Sequence, residues 1–151
     1  MEDKIVINCA LPYANSTMHI GNVAGGYIGG DIFNRYNRLI GKDTLFICGS
    51  DEYGTPTTIR AEKEKKSPKE IVDYYHEEQK RIFSSIDIEF DYFGRTTSEK
   101  HAEFVVEVYK SLKEKGYIEE RIMISPYCAT CKKFLPDRYV TGTCPRCGNI
   151  T

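Results

Sequence analysis

Three sets of residues in this chain have types and spacings that can do chemistry. The first is Asn15-Ser16-Thr17-Met18-His19-Ile20-Gly21-Asn22, which follows the apolar run Ile5-Val6-Ile7 and precedes a long glycine-studded segment. A histidine and a glycine where a strand hands over to a helix are placed to bind phosphate. The helix start supplies backbone N–H groups, the glycine permits close approach, and Asn15, Ser16, His19 and Asn22 add side-chain donors. His19 can then donate to charge developing on a transferred phosphoryl or adenylyl group, since such catalysis is largely positioning and electrostatics. By spacing alone, a lone histidine before a helix is more often a cap or a packed side chain. The second set is Asp51 in the glycine-flanked run Gly49-Ser50-Asp51-Glu52-Tyr53-Gly54, where a carboxylate can face a cation such as a substrate ammonium. The third is Cys128-Ala129-Thr130-Cys131 with Cys144-Pro145-Arg146-Cys147, two turns of the kind in which paired thiolates grip a tetrahedral zinc ion.

These residues need elements to hold them. Residues 5–9 read as a short buried strand and 11–18 as a loop. Residues 20–40 read as a helix, with Val23, Tyr27, Ile28, Ile32, Phe33, Tyr36 and Leu39 at helical spacing and Gly41 as its stop. Gly21, Gly25, Gly26, Gly29 and Gly30 are unfavourable inside a helix, so one face is expected to approach another backbone or a ligand closely. Residues 44–48 read as a second strand. Strand, loop, helix, strand, loop is a βαβ unit, whose parallel strands deliver both loops to one sheet edge and place His19 and Asp51 in one crevice.

Residues 57–66 look helical, and Ser67-Pro68-Lys69-Glu70 opens another helix with a capping box and a buried stripe of Ile71, Tyr75, Ile82, Phe83 and Ile86. A short strand at 90–93 is followed by a helix capped by Thr97 or Ser98, with Phe104, Val105, Val108 and Leu112 inward and Gly116 as terminator. Residues 117–127 have β character around Ile118, Ile122 and Ile124. Beyond Cys128 the chain is poor in aliphatic residues and reads as metal-organised. His76 and His101 lie within helices without ligand spacing, and Tyr13, Tyr53 and Tyr127 read as core or rim residues rather than stacking platforms.

At 151 residues the chain can form one domain with a real core and a small appended module. No apolar run is long enough to span a membrane, and the start Met1-Glu2-Asp3-Lys4 is not that of a signal peptide, so a soluble cytoplasmic protein is expected. With 21 Lys and Arg against 22 Asp and Glu, global charge says nothing about nucleic acid. Of the six cysteines, Cys9 and Cys48 sit in apolar, strand-like surroundings and read as packed core thiols. The other four imply metal in a reducing compartment.

The run ALPYANSTMHIGN, residues 10–22, resembles the HIGH-type region of the methionyl-tRNA synthetase family, class I aminoacyl-tRNA synthetases. NRYNRLIGKDTLFICGSDEYGTPTTIRAE and FLPDRYVTGTCPRCG carry the likeness along essentially the whole chain. The resemblance implies an α/β architecture: a Rossmann-like parallel sheet over residues 1–115, the N-terminal half of a class I catalytic domain. Residues 116–151 then begin a connective insertion with zinc knuckles. It implies a ligase that activates methionine with Mg-ATP to methionyl-adenylate and transfers methionyl to tRNA(Met). His19 and Asn22 would be catalytic, and Pro12, Tyr13, Asn15, His19, Gly21 and Asn22 would contact ATP. Ala10, Leu11, Tyr13 and Asp51 would hold methionine, Asp51 by its amino group. The fourth HIGH position is Asn22, an amide that donates hydrogen bonds but cannot carry histidine's charge.

The family also uses a KMSKS lysine loop. Lys63-Glu64-Lys65-Lys66-Ser67 comes too early in the family order and reads as solvated charge, so an N-terminal fragment unable by itself to form methionyl-adenylate at an enzyme-like rate is expected. Cys128, Cys131, Cys144 and Cys147 hold structural Zn2+ on this reading, either as one closed site or each pair with knuckles further along, as in the family's longer members. Another HxGH-type nucleotidyltransferase and a non-enzymatic zinc-ribbon module binding RNA or protein are the alternatives.

Overall fold

The computed structural model describes residues 4–135, 142–144 and 147–150. The chain divides into two compact units, Met1–Val108 and Tyr109–Thr151.

In the first unit β1 (Ile5–Asn8), β2 (Thr44–Ser50) and β3 (Tyr92–Arg95) form a sheet of order β1-β2-β3, and both pairings are parallel. The register sets Ile5 beside Thr44 and Cys48 beside Phe93. The crossover from β1 to β2 is a helix built from α1 (Ile20–Val23), a π-helical stretch (Ala24–Ile28) and α2 (Gly29–Leu39). The return to β3 is made by α3 (Thr55–Glu64) and α4 (Pro68–Ser85). The parallel βαβ arrangement expected from the sequence is therefore present.

One face of the sheet is covered. Cys9, Phe46 and Cys48 pack with Val23, Tyr27, Phe83 and Ile88, and Ile7, Phe90 and Phe93 fill the margins. On the other face Val6, Leu45 and Tyr92 are exposed, so β1 alternates rather than being buried throughout as its apolar run predicted. Cys9 and Cys48 are core thiols, and burial raises Cys48 to about 12. A second core of Ala14, Ala61, Ile71, Val72 and Tyr75 joins the β1–α1 loop to α3 and α4.

Local signals account for the helix ends. Ser67 Oγ accepts from the Glu70 N–H at 3.2 Å while Glu70 Oε2 accepts from the Ser67 N–H at 2.8 Å, the capping box read from the sequence. Gly41 takes φ +78, closing α2, and Lys65 closes α3 at φ 55. The glycine-rich face behaves differently from expectation. Only Gly30 is pressed against the sheet, where a Cβ would come within 2.8 Å of Cys9 Sγ. Around Gly25, Gly26 and Gly29 there is open space. The π-helical stretch covers two of those three, and helical spacing cannot distinguish a crowded glycine from a free one.

The α4 stripe is buried at Ile71, Tyr75 and Phe83, but Ile86 is exposed because the helix has ended at Ser85. The helix α5 (Glu99–Glu114) starts at Ser98, whose Oγ accepts from the His101 N–H, and ends at Gly116 with φ +76. Phe104, Val105, Val108 and Leu112 are exposed rather than inward: periodicity records an apolar face, not what covers it.

In the second unit no strand forms before Tyr127 among the described residues, and Ile122 and Ile124 are almost fully exposed. Branched side chains favour a strand only where a partner and a packed face exist. β4 (Tyr127–Cys128) and β5 (Lys133–Phe134) form a small antiparallel hairpin.

Candidate functional site

The β1–α1 loop and the loop after β2 meet at the sheet edge. Tyr13 and Asp51 form an isolated parallel bridge, with the Asp51 N–H donating to Pro12 O and the Ala14 N–H donating to Asp51 O, both at 2.8 Å. A hollow of ≈ 280 Å³ lies beside it, lined by the loop from Leu11 to Met18 together with Asn22 and Tyr27. Leu11, Pro12, Tyr13, Asn15 and Asn22 are thus brought to one surface. Ala10, His19, Gly21 and Asp51 are not among its lining residues.

His19 and Asn22 are locked together. His19 Nδ1 accepts from the Gly21 N–H at 3.1 Å, and the His19 N–H donates to Asn22 Oδ1 at 3.1 Å, a capping box at the start of α1. The cap and the donor readings of His19 are compatible, because Nδ1 as acceptor puts the proton of the neutral ring on exposed Nε2. The Asn22 oxygen is committed to the cap, which leaves its NH2 group free to donate outward. A Cβ at Gly21 would stand 3.0 Å from the imidazole ring, which would have to shift by a few tenths of an ångström to admit it. Asp51 accepts from the Tyr53 N–H through Oδ1 at 3.3 Å, an Asx turn that leaves Oδ2 for a cation.

Asp51 is flanked by two fully buried polar residues that support it. Ser50 Oγ donates to Glu52 Oε1 at 2.8 Å, and Arg95 Nε donates to the same oxygen at 2.7 Å. Thr97 Oγ1 donates to Glu52 Oε2, and the Glu52 N–H donates to Thr96 Oγ1 at 2.9 Å. His76 Nδ1 lies 2.8 Å from Ser50 Oγ. Since the hydroxyl's one proton goes to Glu52, His76 is the donor there. Burial, and then the Arg95 charge, hold His76 below the usual imidazole range, so it is neutral at pH 7. Serine, histidine and carboxylate are thus together, but the serine is fully buried and donates to the glutamate, so the set is a brace and not a nucleophile.

The loop is also held from the helical layer. Gln79 Nε2 donates to Tyr13 O at 2.9 Å, Arg60 Nη1 to Asn15 O at 3.1 Å, and Thr17 Oγ1 to Glu78 Oε1 at 3.2 Å. The sequence assigns Ser50, Glu52, Gln79 and Arg95 no role, and His76, which lacks ligand spacing there, has its partners here in Ser50 and Glu52. A signal existed for two of them: His76 and Gln79 continue the buried series Val72, Phe83 at helical spacing, where a polar residue needs a buried partner.

In the second unit the Sγ atoms of Cys128, Cys131, Cys144 and Cys147 all lie within 4.8 Å of one another. Cys128 and Cys147 are 3.6 Å apart and Cys131 and Cys144 3.9 Å. Four sulfurs about 2.3 Å from a tetrahedral zinc are about 3.8 Å apart, so the set has the dimensions of one closed site. The Cys131 N–H donates to Cys128 Sγ, and Asn149 Nδ2 donates to Thr130 Oγ1 at 2.8 Å, clipping one knuckle to the other. The neighbouring Cys147 side chain and burial push the Cys131 thiol up to about 12.

Residues 5–151 match the family profile of tRNA synthetases class I (M). The chain is 53% identical over 148 residues to a methionine–tRNA ligase of Picrophilus torridus, covering 98% of itself and 21% of that protein. It is 55% identical over 144 residues to the corresponding ligase of Thermoplasma acidophilum, covering 95% of itself and 26% of that protein. The chain therefore spans about a quarter or less of the length of these relatives. A solved structure of Mycobacterium tuberculosis methionyl-tRNA synthetase in complex with methionyl-adenylate superposes with TM-score 0.78 at 24% identity, over 97% of this chain and 30% of that one, and shares its fold.

Proposed function

The chain belongs to the class I tRNA synthetases of the methionine type, and from that membership we propose that it forms the amino-acid and nucleotide crevice of a methionine–tRNA ligase. The observation that carries the proposal is the bridge between Tyr13 and Asp51, which sets the loop bearing the phosphate-binding pattern beside the loop bearing the carboxylate.

The reaction is attack of the methionine carboxylate on the α-phosphorus of Mg-ATP, forming the methionyl-adenylate and releasing pyrophosphate. The methionyl group then passes to a ribose hydroxyl of tRNA(Met), with loss of AMP. Substrate groups do both attacks, so the chain's residues need only bind and orient. Asp51 Oδ2 takes the substrate ammonium, which fixes the carboxylate end of the amino acid. Leu11 and Tyr13, exposed at the mouth of the hollow, line the thioether side, with Ala10 beside them. Pro12, Asn15 and Gly21 contact the nucleotide. His19 Nε2 and Asn22 Nδ2 donate to phosphate oxygens as negative charge grows.

Zn2+ is the ion whose tetrahedral thiolate chemistry the four cysteines fit. With four thiolates leaving no open position, its part is to hold the two cysteine turns together, not to meet substrate. Reduced thiols in such a site suit a cytoplasmic protein. The test is methionine-dependent ATP–pyrophosphate exchange by the natural full-length protein and its Asp51→Asn variant. The variant should show a raised KM for methionine with little change in KM for ATP. Exchange supported equally by other amino acids, or an unaltered KM, would overturn the assignment.

A further inference from the structure

We propose that Gln79 is a positioning residue for the β1–α1 loop and that it sets how tightly methionine and ATP are held rather than how fast they react. This rests on the crevice assigned above.

Gln79 is fully buried in the middle of α4, among positions otherwise taken by Val72, Tyr75 and Phe83. An amide at such a place is costly unless it is paired: among the described residues its Oε1 has no hydrogen-bond partner, and its Nε2 is paired across 66 residues of chain with Tyr13 O. That carbonyl is in need of a partner. In this parallel bridge Asp51 makes both hydrogen bonds with its own N–H and C=O, to Pro12 O and from the Ala14 N–H, so the N–H and C=O of Tyr13 take no part in it. Tyr13 is thereby fixed from two sides, by the continuation of β2 on one and by α4 on the other.

The same pattern repeats along the loop. Asn15 O is taken by Arg60 of α3 and the Thr17 hydroxyl by Glu78 of α4. Alternate residues 13, 15 and 17 are therefore each tied to the helical layer, and Gln79 is the one of the three anchors that is fully buried. Leu11, Tyr13 and Asn15 face the hollow, so the backbone path that these anchors impose decides where their side chains stand.

A loop released from its anchor visits arrangements that cannot bind, and the apparent dissociation constant rises by the inverse of the competent fraction. Saturating substrate restores the bound arrangement, so the rate at saturation is retained. Losing the donor while leaving Tyr13 O in place should cost about tenfold in binding.

The experiment uses Gln79→Met in the natural full-length protein, which keeps length and burial and removes the donor. ATP–pyrophosphate exchange should show KM for methionine and for ATP raised about tenfold with kcat within about twofold. Hydrogen exchange without substrate should show faster amide exchange at residues 14–17. Thr17→Val, which cuts an exposed anchor and does not threaten the core, should shift KM in the same direction by less. A fall in kcat at unchanged KM means a smaller folded fraction and a merely structural glutamine, which overturns the proposal. Unchanged KM together with unchanged amide exchange overturns it as well. Hydrogen exchange separates the two ideas: if the unsubstituted protein shows no methionine-dependent activity the assigned function fails, while the amides of 14–17 still report whether Gln79 holds the loop.

Discussion

Replacing Glu52 by glutamine keeps the shape of a fully buried side chain and removes its charge. Glu52 Oε1 accepts from Ser50 and Arg95 and Oε2 accepts from Thr97, so glutamine can keep its oxygen toward Arg95 and turn its NH2 toward the Thr97 hydroxyl, which rotates to accept. What is lost is the charge assistance, worth about 1.5–3 kcal/mol for a hydrogen bond to an ionised group. The Arg95 side chain is 30% exposed and still pairs with Asp73, so the guanidinium is not stranded and the cost belongs near the middle of that range, about 2 kcal/mol. Glu52→Ala leaves Ser50, Thr97 and Arg95 all without their acceptor and should cost about 3–5 kcal/mol. For a unit of this size about 2 kcal/mol is a Tm lowered by about 8 °C. The assay is denaturant unfolding of the parent, Glu52→Gln, Arg95→Met and the double variant. The coupling between the two sites should be about 1–2 kcal/mol. Additivity within about 0.5 kcal/mol, or a Glu52→Gln loss below that, would refute the view that the charge of Glu52 organises the loop bearing Asp51.

Gly30→Ala should cost about 1–3 kcal/mol, since its Cβ would stand 2.8 Å from Cys9 Sγ and 3.2 Å from the Phe46 ring, whereas Gly29→Ala meets open space and should stabilise by up to about 1 kcal/mol. Urea midpoints of the two variants check this, and equal shifts would contradict it. Because His76 is held below the usual imidazole range, the unfolded chain takes up a proton that the folded chain refuses. Stability is therefore complete above about pH 6.5 and declines as pH falls from there toward the folded value. The displaced carboxylates Glu64, Glu70, Asp73 and Asp91 act only at lower pH, so His76→Gln should flatten the stability profile between about pH 6.5 and 5, and a profile that keeps its slope would count against the brace. Atomic emission should find one zinc per chain, and chelation should collapse the amide signals of residues 127–135. A ratio of two, or none, would contradict a single site of four thiolates.

What the sequence determined by itself is whatever rests on local chemistry. The Ser67 capping box, the glycines that end α2 and α5, and the cysteine turns follow from residues close together in the chain, where spacing alone decides which groups can meet, and the parallel direction of β1 and β2 follows from the helical crossover that joins them. The tertiary structure decided everything that depends on a partner distant in sequence. It chose Gly30 over Gly29 as the crowded glycine, left the apolar stripe of α5 and Ile122 exposed, and put all four thiols in one cluster. It also buried Glu52, His76 and Gln79 as supports behind Asp51 and Tyr13. The reason is physical. A cap or a turn is satisfied within a few residues, but the cost of burying an amide, a carboxylate or a Cβ is set by atoms that only the folded chain brings within reach.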